Sequence, residues 1–192
     1  INRSGREISS VNILNAEPPA RKGKEGAAET TATAPAITGK LAVVVVDLDN
    51  IVITARQTMG VNLNSEEVCG AAMYYAERLG EVAKAEIHLT FKSDNQTQVS
   101  YACHRLGASM VVSPPLPNAA DKRMIETIKM AMKCPEVKYV VIASNDAKAF
   151  RPLCVKIIES GREAHLLTPG SSVGGLAGAS TKCTSIIGVM GD

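Results

Sequence analysis

The run LAVVVVD, residues 41–47, constrains the fold more than any other segment. Its β-branched side chains leave no polar face, so both faces of the strand must be buried. Such strands belong to the centre of a parallel sheet with helices on either side. Parallel neighbours need long crossovers, so the rest of the chain must supply strand–helix units. Asp47 breaks the apolar run at its C-terminal end, where an open α/β sheet places its ligand crevice.

The downstream sequence meets that requirement. Asn64 and Glu67 have capping-box spacing and open an expected helix through Leu79, with Val68, Ala72, Ala76 and Leu79 on one stripe. AEIHLTF (85–91) alternates apolar and polar residues, as a less buried strand does. Ser93 and Gln96 form a second capping box. Its helix carries Val99, Ala102, Cys103 and Leu106 and stops at Gly107. ASMVVS (108–113) is a short strand, and PPLPN is a rigid loop. Asp121 opens a helix whose apolar stripe is Met124, Ile125, Ile128 and Met132. VKYVVIAS (137–144) is a second central strand. Phe150, Leu153, Cys154, Ile157 and Ile158 mark a helix closed by Gly161. Pro152 fits the first turn of a helix, which sets that helix's start near Phe150. EAHLL (163–167) and SIIGVM (185–190) are the expected last strands, with a Gly/Ser-rich connector between them. The expected fold is a three-layer α/β/α sandwich with a mainly parallel central sheet and right-handed crossovers.

Three aspartates fall where strands run out or helices begin: Asp47, Asp121 and Asp146. Carboxylates gathered at the C-terminal ends of parallel strands can hold a divalent cation over a phosphate. Asp121 precedes Met124, Ile125 and Ile128 at helical spacing, so it shares their sheet-facing side. Each aspartate also has a structural use. Asp47 can form a turn or cap, Asp121 can favour a helix dipole, and Asp146 can close an Asx-turn. The three together on one side of one sheet are harder to explain by local structure. No histidine is needed for such a site. His88, His104 and His165 are distant from the acidic segments in sequence and are read as structural.

Charge narrows the partners. Residues 1–40 carry six basic and four acidic side chains, leaving 15 of each sign in residues 41–192. Nucleic acid would therefore have to meet a local patch. With no Trp and two Phe, stacking platforms are scarce. Lys122, Arg123, Lys148 and Arg151 flank the aspartates, and Arg56 and Lys92 are further cations. Residues 1–40, rich in Ala, Thr, Gly, Lys and Glu, read as an extended low-complexity tail ahead of a domain over 41–192. That tail is the expected contact with a partner assembly. The five cysteines show no CxxC and no zinc spacing, which points to a reducing intracellular compartment, cytoplasmic or mitochondrial or otherwise organellar. Arg3, Arg6 and nearby serines are what a processed presequence would leave, with Glu7 and Glu17 counting against it. No apolar run is long enough to span a bilayer, so no membrane partner is expected.

The motifs D-L-D-N after a valine run, N-A-A-D-K-R-M-I, V-I-A-S-N-D and F-R-P-L occur in this order and resemble an NYN domain, of the PIN-like ribonuclease superfamily. The resemblance implies cleavage of single-stranded RNA with Mg²⁺ or Mn²⁺ held by Asp47, Asp121 and Asp146. It implies that Asn50 orients the site or contacts phosphate, and that Ser144 supports Asp146. Lys122, Arg123, Lys148 and Arg151 then become candidates for binding RNA. The chain departs from the family pattern at Thr127 and Lys148, where further acids are expected. Asp49 is a candidate replacement ligand, pointing with Asp47 if the segment is extended. These departures support a second reading, a catalytically degenerate domain serving as an RNA-binding or structural subunit of a ribonucleoprotein. A third reading is a haloacid-dehalogenase-like phosphatase, with VVVVDLDNIVI as nucleophile strand and IIGVMGD as an acidic strand end.

Overall fold

The computed structural model describes residues 40–90, 95–170 and 178–191. The expected tail up to residue 39, Lys92, Ser93 and most of the Gly/Ser-rich connector lie outside them. Strand β1 (Leu41–Asp47) leads directly into helix α1 (Leu48–Met59), followed by α2 (Ser65–Glu77) and β2 (Glu81–Thr90). Then come α3 (Gln96–Leu106), β3 (Ser109–Ser113), α4 (Ala119–Ala131) and β4 (Val137–Ala143). The chain continues with α5 (Ala147–Glu159), β5 (Glu163–Thr168), β6 (Lys182–Ser185) and α6 (Ile186–Gly191). The six described strands form one sheet in the order β3-β2-β1-β4-β5-β6, and every pair is parallel.

The valine run does what its composition requires. Val44 and Val46 point into a core shared with Leu48, Ile51, Val68, Val99 and Ile186, from α1, α2, α3 and α6. Val43 and Val45 point the other way, against Met124 and Ile128 of α4 and Phe150 and Ile157 of α5. All four valines are at most 1% exposed, and each such burial is worth about 1.5–3 kcal/mol. β1 therefore serves both cores, as β4 does through Val141 on one face and Val140 and Ile142 on the other. The two layers also follow from the strand order. β2 and β3 are laid to one side of β1 and β4 and β5 to the other. Right-handed crossovers then put α1–α3 on one face and α4 and α5 on the opposite face.

The structure corrects four local expectations. SIIGVM is not a strand: Ser185 ends β6, and its Oγ accepts from the Gly188 N–H at 3.3 Å, capping α6. Ile186 and Val189, three residues apart, are then buried on one helical face. With that segment helical, the acidic strand end required by the phosphatase reading is not formed. The alternation in β2 does not mark a half-exposed strand. β2 has strands on both sides, and its polar members Glu86 (9% exposed) and His88 (0%) are buried beneath α4. α5 begins at Ala147 rather than near Phe150, because Asp146 caps it, so Pro152 lies inside the helix. Finally, residues after Asp47 are helical rather than extended, which rotates Asp49 away from a simple alternation with Asp47.

Candidate active site

The strand order reverses between β1 and β4. The crevice beyond their C-terminal ends is the topological switch point where open α/β sheets bind ligands. Asp47 and Asp146 stand on its two sides. Neither junction has a linker beyond what the cap needs, and the two caps share one backbone conformation. Asp47 has φ −85° and ψ 85°, and Asp146 has φ −83° and ψ 87°. Asp47 Oδ1 accepts the Asn50 N–H at 3.2 Å, and Asp146 Oδ1 accepts the Ala149 N–H at 3.0 Å. The structural use of each residue and its place at the crevice thus coincide. Capping turns a carboxylate over each helix start, and a carboxylate retains lone pairs for a further partner.

Asn50 ties the two sides together. Its N–H serves Asp47, while its side-chain Oδ1 accepts the Asn145 N–H at 2.8 Å. Ser144, 1% exposed, accepts the Asp146 N–H through Oγ at 3.2 Å. Asp121 comes from a third element, the first turn of α4, and is 8% exposed. Its helix starts at Asn118, whose φ of 59° is the one positive value among the described non-glycine residues. Such a conformation is uncommon but tolerated by asparagine. Asp49 is engaged elsewhere: Oδ2 accepts the Thr90 N–H at 2.7 Å and pins the end of β2 to α1.

The charges in the crevice are unbalanced. Burial pushes the Asp47 carboxyl from an ordinary 3.8 up to about 7. The Asn50 N–H opposes this, and the charges of Asp121, Asp49 and Asp146 add to it. Asp121 is also raised, first by burial and then by Asp146. Lys122, Arg123 and Lys148 are exposed on the first turns of α4 and α5, with Arg151 one turn further along α5. Arg123 leans toward β3, donating to the Val112 carbonyl at 3.5 Å.

One neighbour of Asp47 escaped the sequence reading. His88 is its register partner on β2, on the same face of the sheet. His88 Nε2 lies 3.1 Å from Glu86 Oε2, and Thr127 Oγ1 donates to the same oxygen at 2.7 Å. Lys84 Nζ completes the cluster, 2.8 Å from Glu86 Oε1. These partners hold Glu86 below the usual carboxylate range against the effect of burial. Burial lowers the His88 pKa and so favours the neutral ring; in the tautomer that donates Nε2–H to Glu86, Nδ1 is an acceptor with no partner among the described residues. The alternation of Glu86 and His88 showed that they share a face. Nothing in the sequence gave the register that sets His88 beside Asp47. At position 127, where the resemblance expects an acid, a hydroxyl instead binds the Glu86 carboxylate.

The donor chemistry suits a hard divalent cation. Three carboxylates from three elements crowd an electrostatic deficit, and all offer oxygen ligands. Among the described residues, no three His, Cys, Asp or Glu side chains already stand in ligating positions. Water would complete the coordination, as Mg²⁺ sites commonly allow.

Comparison with known proteins agrees with this geometry. The NYN domain family model matches residues 41–186, from the first residue of β1 to the first of α6. No curated protein matches the chain. Among solved structures, the fold is similar to a protein of unknown function from Vibrio parahaemolyticus, with a TM-score of 0.61 and 18% identity. That alignment covers 77% of this chain and 93% of the other. The match over more than two thirds of the sequence, together with the parallel sheet and its switch-point acids, establishes that this chain belongs to the NYN domain family of PIN-like nucleases.

Proposed function

We propose that this domain is a divalent-metal-dependent endoribonuclease acting on single-stranded RNA. What carries the proposal is the charge deficit at the switch point, where Asp47 is buried beside three other acids and raised to about 7. Asp47, Asp121 and Asp146 are the residues that would hold Mg²⁺ or Mn²⁺. The ion would supply charge neutralisation at the scissile phosphate and a lowered pKa for attacking water. Asn50 holds Asp47 through its backbone N–H and the loop before Asp146 through the Asn145 N–H, and its amide N–H groups are left to donate to a phosphate oxygen. Ser144 holds the backbone of Asp146. Lys122, Arg123, Lys148 and Arg151 bind flanking phosphates of the RNA.

The test is cleavage of single-stranded RNA with Mn²⁺ or Mg²⁺ by wild type, Asp47→Asn and Asp146→Asn. Activity lost in both variants supports the nuclease; activity retained in both overturns it. A second reading is favoured by one observation, the Thr127 hydroxyl bonded to Glu86 in place of an additional acid. In that reading the domain binds RNA as a degenerate member within a ribonucleoprotein, reached through residues 1–40. RNA binding without metal-dependent cleavage would select it. The cysteines of the chain are all free thiols, and burial pushes Cys69 up to about 12 and Cys154 to about 11. We infer a reducing compartment from these. No described helix is long and apolar enough to cross a membrane.

A further inference from the structure

The two helical layers differ in charge. α4 and α5 hold Lys122, Arg123, Lys129, Lys148, Arg151 and Lys156 against Asp121, Glu126 and Glu159, and Asp121 is buried toward the sheet. α1, α2 and α3 hold Arg56 and Arg105 against Asp49, Glu66, Glu67 and Glu77. Arg78, exposed at the C-cap of α2, balances that layer's exposed glutamates, so the formal neutrality of residues 41–192 conceals one basic side. On the basic side a groove runs between α4 and α5, lined by Ile125, Lys129, Ala149, Pro152, Leu153 and Lys156. Its upper end is one helical turn below the carboxylates. Ile125 is four residues after Asp121, and Ala149 is three after Asp146. Lys122 and Lys129 share one stripe of α4 about 10 Å apart along the axis.

We infer that this groove is the track along which single-stranded RNA leaves the acidic crevice, with Lys129 and Lys156 binding its phosphates. The inference rests on the nuclease reading for the identity of the polyanion. An apolar floor with one cation on each side, Lys129 of α4 and Lys156 of α5, suits an unpaired strand, whose bases need contact area and whose phosphates need counter-charge.

The experiment measures binding of labelled oligouridylates in EDTA, where metal-dependent cleavage cannot interfere. Oligomers of about 4 and about 16 nucleotides separate contacts at the crevice from contacts along the groove. Lys129→Glu combined with Lys156→Glu should weaken the longer oligomer by about tenfold or more and leave the shorter within about twofold. Each lost phosphate contact lowers the salt slope by about 0.7, so the double variant should lose about 1.4. Arg56→Glu with Arg105→Glu makes the same charge change on the other layer and should leave the preference for the longer oligomer intact. Equal weakening by both double variants, or by neither, overturns the track. Failure of wild type to bind the longer oligomer more tightly than the shorter also overturns it. Loss of cleavage with length-dependent binding retained counts against the catalytic reading and leaves the track standing.

Discussion

Replacing Asp47 with asparagine should stabilise this protein at alkaline pH while removing its proposed activity. The folded carboxyl titrates near 7, against an ordinary 3.8. Between these values the folded state keeps a proton that the unfolded chain has released. Wild-type stability therefore falls as pH rises from about 4 to about 7 and stays low above that. At about 1.4 kcal/mol for each pH unit, the full loss is about 4 kcal/mol. Asp121 is raised as well, so its own titration destabilises the fold in the same direction of pH. Asparagine keeps a side-chain oxygen for the Asn50 N–H and caps helices as well as aspartate does. Urea unfolding in EDTA should find Asp47→Asn more stable than wild type at pH 8 by at least about 1 kcal/mol. The gap should close near pH 4. Adding Mg²⁺ at about a hundred times its Kd should return about 2.7 kcal/mol to wild type at pH 8 and much less to the variant. A variant no more stable than wild type at pH 8, or a gap unchanged by acid, would refute the deficit.

Asn50→Ala removes the acceptor of the Asn145 N–H and should cost about 1–2 kcal/mol by thermal unfolding. Cleavage should fall further than that loss of folded protein explains, since the loop carrying Asp146 loses its tie to α1 while the backbone N–H that Asp47 accepts is kept. Thr127→Asp restores the acid of the family pattern but sets a second carboxylate against Glu86. It should destabilise the fold by about 1–3 kcal/mol at pH 7 and recover in acid, measured by urea midpoints. Pro152→Ala returns an N–H toward the Lys148 carbonyl inside α5 and should raise the urea midpoint; an unchanged midpoint would show that the helix has already adjusted to proline. Ser185→Ala should cost about 1 kcal/mol through the α6 cap.

The sequence revealed the pieces whose meaning is local. A double-sided valine run can be little other than a central strand, and the stripes of α2, α3 and α4 follow helical spacing. Asp47, Asp121 and Asp146 were identifiable because strand ends and helix starts carry their own signals. What the sequence withheld depends on register and strand order. His88 and Glu86 looked like the polar side of a half-exposed strand, and only the packing of α4 over that face buries them. Ile186 to Met190 is apolar throughout, so periodicity could not choose between strand and helix; the Ser185 cap decided it. Pro152 misled for a related reason. Proline prefers a first turn, but the capping strength of Asp146 set the helix start instead.

The switch point also has a consequence for how the molecule comes into being. β1 is made early, yet its two sheet neighbours arrive much later in the chain, β4 last of all. A nascent chain that has emerged only as far as α4 already carries Asp47 and Asp121. It has no second wall to the crevice, no Asn145 for Asn50 to hold and no Asp146. Contacts of such long sequence separation form slowly. The crevice is therefore incomplete until translation has passed β4, so an unfinished chain does not carry the assembled acidic site.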